Sequence, residues 1–145
     1  MTTQCSEDAA TGLSQEIHAN CIVCGRQNPR GLHVQFSPTG DGGVETSFDC
    51  QKIFEGYENR MHGGVIAALL DGAMTNCLFA HGHLAVTAEL TVRYWQPVST
   101  GQSATVRAWI RQSSHGLHRM QAELQQDNRL LVSAKATFLD RRTER

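Results

Sequence analysis

The sequence predicts an α+β domain in which one long buried helix is wrapped by a curved antiparallel sheet of about six strands. Two observations carry this expectation. Gly63 to Ala80 contains Val65, Ile66, Leu69, Leu70, Met74, Cys77, Leu78 and Phe79 with small residues between them and no Lys, Arg or Glu. A helix apolar on all sides is a buried helix, and 18 residues would run about 27 Å. After it, Leu84 to Val98, Ala104 to Ser113, Leu117 to Gln126 and Leu130 to Leu139 are rich in Val, Thr, Leu and aromatics. They read as an antiparallel meander. So long an apolar helix needs a large apolar surface around it, which a curved sheet supplies.

The remaining elements follow from local patterns. Ala9, Ala10, Leu13 and Ile17 stand at helical spacing, so residues 1–20 are expected to form an extension with a short amphipathic helix, ahead of a single domain over 21–145. Gly25, Asn28, Pro29 and Gly31 forbid regular structure in the lead that follows. Leu32, Val34 and Phe36 alternate with polar residues and predict a half-buried strand. Asp41-Gly42-Gly43 is a hairpin signal, and Val44, Thr46 and Phe48 predict the partner strand. Cys50 to His62 reads as loop with a turn of helix near Ile53. Pro97 with Ser99 and Gly101, His115-Gly116, and Asp127-Asn128 separate the later strands.

Composition narrows the functional classes. Thirteen Lys and Arg against fourteen Asp and Glu give a net charge of -1 without a long basic run, which disfavours nucleic-acid binding. The five cysteines are odd in number and irregularly spaced, and Met1 to Ala10 has neither a basic nor an apolar leader region. The apolar stretch Val65 to Ala80 is interrupted by Asp71, Gly72, Thr75 and Asn76 and falls short of a bilayer of about 30 Å. These features together lead to the expectation of a cytoplasmic protein with no membrane partner.

The order strand, strand, buried helix, four strands, joined to His62-Gly63-Gly64-Val65-Ile66-Ala67-Ala68-Leu69-Leu70-Asp71, resembles the hotdog-fold acyl-CoA thioesterases of the phenylacetate-pathway and 4-hydroxybenzoyl-CoA branch. Cys21-x-x-Cys24-Gly25 with Asn28-Pro29-x-Gly31-Leu32, Thr87 to Tyr94 followed by Pro97-Val98, and Ala134-x-Ala136-x-Phe138 match as well. The resemblance covers roughly residues 20 to 140. It implies hydrolysis of an acyl-CoA to a carboxylic acid and free CoA, without metal or redox cofactor. The same fold also hosts noncatalytic acyl-CoA binding or sensing proteins and dehydratases.

Thioester hydrolysis needs a donor for the developing oxyanion and a carboxylate or activated water near the carbonyl carbon. Gly63 and Gly64 open the helix, where free N–H groups and the positive end of the dipole point outward. Asp71 is the one formal charge in the apolar helix. The resemblance places a catalytic acid at this spacing, as general base or as nucleophile. Thr75, one turn on, is able to bond that carboxylate or its own i−4 carbonyl. By resemblance, Thr87 positions the attacking water. Relatives place Asn or Gln six residues before the His, where this chain has Gly56; Asn59 is the nearby alternative, and with Gly64 and Met61 it is a candidate substrate contact. His62 is assigned an organising role. Phe54, Tyr57, Met61, Met74 and Leu78 are expected to set pocket depth.

Eight residues separate Gly63 from Asp71, about 12 Å along one helix and too far to act on one thioester. Two antiparallel helices about a twofold axis would bring the Gly63 end of one beside Asp71 of the other. A homodimer, or a dimer of dimers, is therefore expected. Cys21-x-x-Cys24 reads as a tight turn with small buried thiols; as half of a zinc knuckle it would need completion by His18, His33, Cys5 or Cys50. No metal is assigned. Arg60, Arg93, Arg111, His115, His118, Arg119, Arg141 and Arg142 are open as phosphate ligands, with none preferred.

Overall fold

The computed structural model describes residues 17–141. Strands β1 (Ser37–Pro38), β2 (Val44–Asp49), β3 (Ala85–Tyr94), β4 (Ser103–Ser114), β5 (Leu117–Gln126) and β6 (Arg129–Asp140) form one sheet, and helix α1 (Gly63–Ala80) packs on it. The strand order is β1-β2-β4-β5-β6-β3, and every pairing is antiparallel. A 3-10 turn at Lys52–Phe54 occupies the place where a helical turn was expected. The helix expected within residues 1–20 falls mainly on residues 1–16, outside the described residues.

The expected strand over Leu32 to Phe36 does not form. Its alternation is real, because Val34 and Phe36 are buried while His33 and Gln35 are exposed. Its backbone, however, bonds to the preceding loop: Leu32 N–H donates to Ile22 C=O and Val34 N–H to Val23 C=O. His33 adopts a φ of 53°, which breaks the extended run, so only Ser37 and Pro38 pair with β2. Period-2 burial reports which face is covered, not which backbone covers it.

The later strands follow the expected plan. His115-Gly116 (φ 50° and 79°) and Asp127-Asn128 (φ 52° and 60°) join β4 to β5 and β5 to β6, each as a two-residue turn with both positions left-handed. Such turns match the twist of the strands they connect.

Helix α1 is apolar enough, at a mean hydropathy of 1.4, to be compared with a membrane span. Its second half answers the comparison. Every residue from Gly72 to Ala80 is buried, against the sheet and the preceding loop, so it is a core helix. Its first half differs: Gly64, Val65, Ala67, Ala68 and Asp71 keep partial exposure. Being apolar all round did not bury the helix all round within one chain.

The loop before β1 is pressed onto the helix at Gly72. An added Cβ there would lie 2.6 Å from Val23 Cγ1 and 3.1 Å from Val23 Cβ. Beside the β4–β5 turn, buried His118 bridges Ser113 and Asp140, with its Nε2 2.7 Å from the carboxylate, and its ring lies 4.5 Å from that of His83, tilted at 43°.

Gly72→Ala is expected to destabilise the fold. Removing a helical glycine gains about 1 kcal/mol, but overpacking against a short branched side chain costs about 1–3 kcal/mol, so the urea midpoint should fall. The second expectation concerns acid. His83 has its pKa lowered from the ordinary 6.5, first by burial, then by His118 and His81, with Asp140 opposing. The unfolded chain thus binds more protons near and below that pH. The contribution is full above 6.5 and is lost as pH falls through the lowered native value. Denaturation midpoints measured down a pH series should decline across this window, less steeply in His83→Gln.

Candidate functional site

Two clusters form on α1, one at its start and one at its middle. At the start, His62 is the N-cap: its Nδ1 accepts the Gly64 N–H at 2.8 Å. That bond makes Nδ1 the acceptor and leaves Nε2 able to carry the ring proton. It also occupies the Gly64 amide, whereas among the described residues nothing accepts the Gly63 N–H. Gly63 is therefore an outward donor of the first turn, at the positive end of the dipole.

Tyr94, at the end of β3, donates its hydroxyl to the Gly63 carbonyl at 2.6 Å, tying the strand to the first turn. Burial raises the Tyr94 pKa, which keeps the phenol a donor. A cavity of about 670 Å³ opens here, walled by Tyr57, Arg60, Met61, His62, Gly63 and Trp95 among others. Of the three expected substrate contacts, Met61 lines this cavity and Gly64 does not. Asn59 does not line this cavity. Its φ of 62° places it in a turn, where its N–H donates to Glu55 and its C=O accepts from Thr100. Met74 and Leu78 do not line it either, being 0% and 1% exposed in the core.

Gly56 lies against the capping histidine. A Cβ at Gly56 would meet His62 Cα at 3.2 Å and its ring Cδ2 at 3.4 Å. A side chain at residue 56 would press on His62.

In the middle of the helix, Asp71 is half-buried and accepts a 2.7 Å hydrogen bond from the Thr87 hydroxyl. A β-bulge makes this bond geometrically available. Thr87 pairs with Phe138 and Glu89 with Thr137, so Ala88 is the extra residue. Below the bulge, Leu90, Val92 and Tyr94 pair with Ala136, Ala134 and Val132 on the helix side. Strict alternation would turn Thr87 away from that side; the bulge shifts the parity and returns it. Thr75 makes the other of its two open bonds: its hydroxyl donates to the Asp71 main-chain carbonyl at 3.0 Å, not to the carboxylate. A helical threonine reaches the i−4 carbonyl without leaving its rotamer well.

Asp71 also acts on His18. Burial lowers the His18 pKa while the Asp71 charge pulls it upward. The structure therefore joins Asp71 with Thr87, and His62 with Gly63, Gly64 and Met61, but leaves the two groups about 12 Å apart along the helix of one chain. Tyr94 and His18 were not singled out as site residues. Tyr94 was legible only as the end of the strand motif, and His18 only as a candidate partner of the cysteines.

Comparison with known proteins agrees with this architecture. A thioesterase superfamily protein of solved structure superposes with a TM-score of 0.79 at 24% identity, covering 84% of this chain; the chain spans 61% of that protein. The PaaI protein from the phenylacetic acid degradation operon of E. coli gives 0.78 at 16% identity, covering 92% and 94% of the two chains. A hypothetical thioesterase from Streptococcus pneumoniae, solved with coenzyme A, gives 0.70 at 17% identity and covers 74% and 85%. At these identities the likeness shows the hotdog fold. No curated protein matches the sequence. The thioesterase superfamily profile matches residues 58–133, more than half of the chain and the whole of α1 with most of the sheet; this protein belongs to the thioesterase superfamily.

Proposed function

We propose that the protein hydrolyses an acyl-CoA thioester to a carboxylic acid and free CoA, using Asp71 of one protomer and the helix start of another. The observation that carries this reading is the Asp71 carboxylate held by Thr87 on a partly uncovered stripe of α1. The coenzyme A in the Streptococcus pneumoniae structure supports the substrate class.

A twofold partner is supported by two uncovered features of the single chain. β3 is an edge strand of ten residues with its outer hydrogen-bonding groups unpaired among the described residues, and Val86 on it is 56% exposed. Long uncovered edges are uncommon in stable monomers. Alongside it, Gly64, Ala67, Ala68 and Asp71 form an open helical stripe of small residues, close enough in size for a second helix to approach. Antiparallel pairing of two such stripes sets Gly63 of one chain against Asp71 of the other.

In that arrangement the thioester oxygen accepts the Gly63 N–H, which strengthens as negative charge develops. Asp71 takes a proton from water as the water oxygen bonds to the carbonyl carbon, or attacks that carbon itself to form an acyl-Asp71 anhydride that water hydrolyses once CoA has left, releasing the acid and restoring the carboxylate. The C–S bond then breaks, and the CoA thiolate recovers a proton. Thr87 fixes one carboxylate oxygen and leaves the other for the reaction. Tyr57, Met61 and Trp95 give the acyl group an apolar wall, and Arg60 at its rim suits a phosphate. No step uses a cofactor.

One observation favours a second reading, noncatalytic acyl-CoA binding: residue 56 is a glycine and offers no side-chain amide. Free-thiol release separates the two, because a binding protein yields none.

Three measurements test the proposal. Asp71→Asn should lower kcat at least 100-fold on the best acyl-CoA of an aromatic, short-chain and long-chain panel, with binding retained; near wild-type kcat would remove Asp71 from the chemistry. Asp71→Glu should keep part of the rate. Thr87→Val should lower kcat with little change in KM, and Thr87→Ser should restore most of it. Light scattering should show a dimer or tetramer, and an active monomer at nanomolar concentration would refute the shared site.

A further inference from the structure

The loop ahead of β1 gathers three metal-ligating side chains that the hydrolysis does not use. His18, Cys21 and Cys24 stand three residues apart, and their ligand atoms all lie within 4.8 Å of one another. Cys24 Sγ is 3.9 Å from His18 Nδ1. Around a tetrahedral zinc with bonds of about 2.3 Å to sulfur and about 2.0 Å to nitrogen, ligand atoms stand roughly 3.6–3.8 Å apart. The His18–Cys24 spacing is near that figure, and the distances to Cys21 Sγ lie within 4.8 Å.

The backbone holds the three groups in place without a metal. Cys21 N–H donates to His18 C=O at 3.0 Å, Gly25 N–H to Cys21 C=O at 2.9 Å, and Gln27 N–H to Ala19 C=O at 2.9 Å. The Val23 N–H donates to Cys21 Sγ at 3.4 Å, which fixes the sulfur within the turn. The chain doubles back so tightly that a Cβ on Gly25 would lie 2.3 Å from Cys21 N. Glycine at this position is required by the close approach. The His18 ring is set edge-on against Phe79, with centroids 4.8 Å apart. A surface hollow lined by Ile17, His18, Ala19, Asn20 and Cys21 gives a path from solvent.

We propose that His18, Cys21 and Cys24 bind a thiophilic divalent cation, zinc foremost, through one imidazole nitrogen and two thiolates. Two soft sulfurs and an imidazole exclude the hard cations magnesium and calcium by donor type. Binding converts up to two thiols to thiolates and releases their protons to solvent. The site revises the reading of the cysteine pair as a plain turn. Its role is positional: Val23 lies between the two cysteines and packs on Gly72, next to Asp71. A metal that fixes Cys21 and Cys24 fixes the loop against the helix beside the carboxylate. None of this rests on the hydrolase reading, and its test does not read activity.

The full-length protein, reduced and freed of metal by a chelator, is titrated with zinc and separately with cobalt. One zinc per chain should bind, with up to two protons released, a rise in Tm, and tetrahedral cobalt bands accompanied by thiolate-to-cobalt charge transfer. Cys24→Ser and His18→Ala should each reduce zinc retention at least tenfold while circular dichroism shows the fold intact. Cys50→Ala, which removes a core thiol whose pKa burial pushes up to about 11, should bind zinc as the parent does. Failure of the parent protein to bind zinc at micromolar concentration would overturn the proposal. So would undiminished binding by both His18→Ala and Cys24→Ser, or cobalt spectra without sulfur charge transfer.

Discussion

Helix α1 is buried by its own chain along only half its length, and the rest of the structure depends on that asymmetry. From Gly72 to Ala80 the sheet and the preceding loop cover it completely; before that, a stripe through Gly64, Ala67, Ala68 and Asp71 is left partly open. Asp71 lies at the boundary. A carboxylate one turn further along would be sealed in the core, where an unpaired charge is prohibitive. One turn earlier it would approach its own helix start and lose the separation that divides donor from carboxylate.

The boundary is set by small residues and a bulge. Gly72 has no side chain, so Val23 packs directly on the helix and closes its buried half. On the open side, the extra residue at Ala88 turns Thr87 toward α1, and the hydroxyl reaches the carboxylate. Each device places a chemically ordinary side chain where regular alternation would not have put it. The helix start is assembled in the same manner, with His62 capping Gly64 and Tyr94 reaching across from β3 to Gly63.

These placements also separate roles that residue type alone leaves mixed. His62 is occupied by the Gly64 amide, so its contribution is to hold the first turn open at Gly63. Thr75 serves the helix backbone and Thr87 serves the carboxylate, although both are threonines within reach of the same acid. His18, Cys21 and Cys24 stand well before these groups in sequence, yet pack against the same helix through Val23 on Gly72 and His18 on Phe79.

The helix, the four later strands and their turns were legible in the sequence because each rests on local physics: a charge-free apolar run, alternation, and left-handed residues at two-residue turns. The Asp71 and Gly63 positions, eight residues apart on one helix, were legible for the same reason. Only the tertiary structure decided where Leu32 to Phe36 would find its backbone partners, since alternation is silent about what lies across the hydrogen bond. Only it chose between the two bonds open to Thr75, moved Asn59 out of the cavity into a left-handed turn, and assigned Met74 and Leu78 to the core. His18 joined the cysteines by a fold of the backbone around Gly25 that no periodicity encodes. Local pattern determines which residues are covered and which turns form; contacts between segments distant in sequence depend on bulges, glycine approaches and chain reversals, whose geometry exists only once the chain is packed.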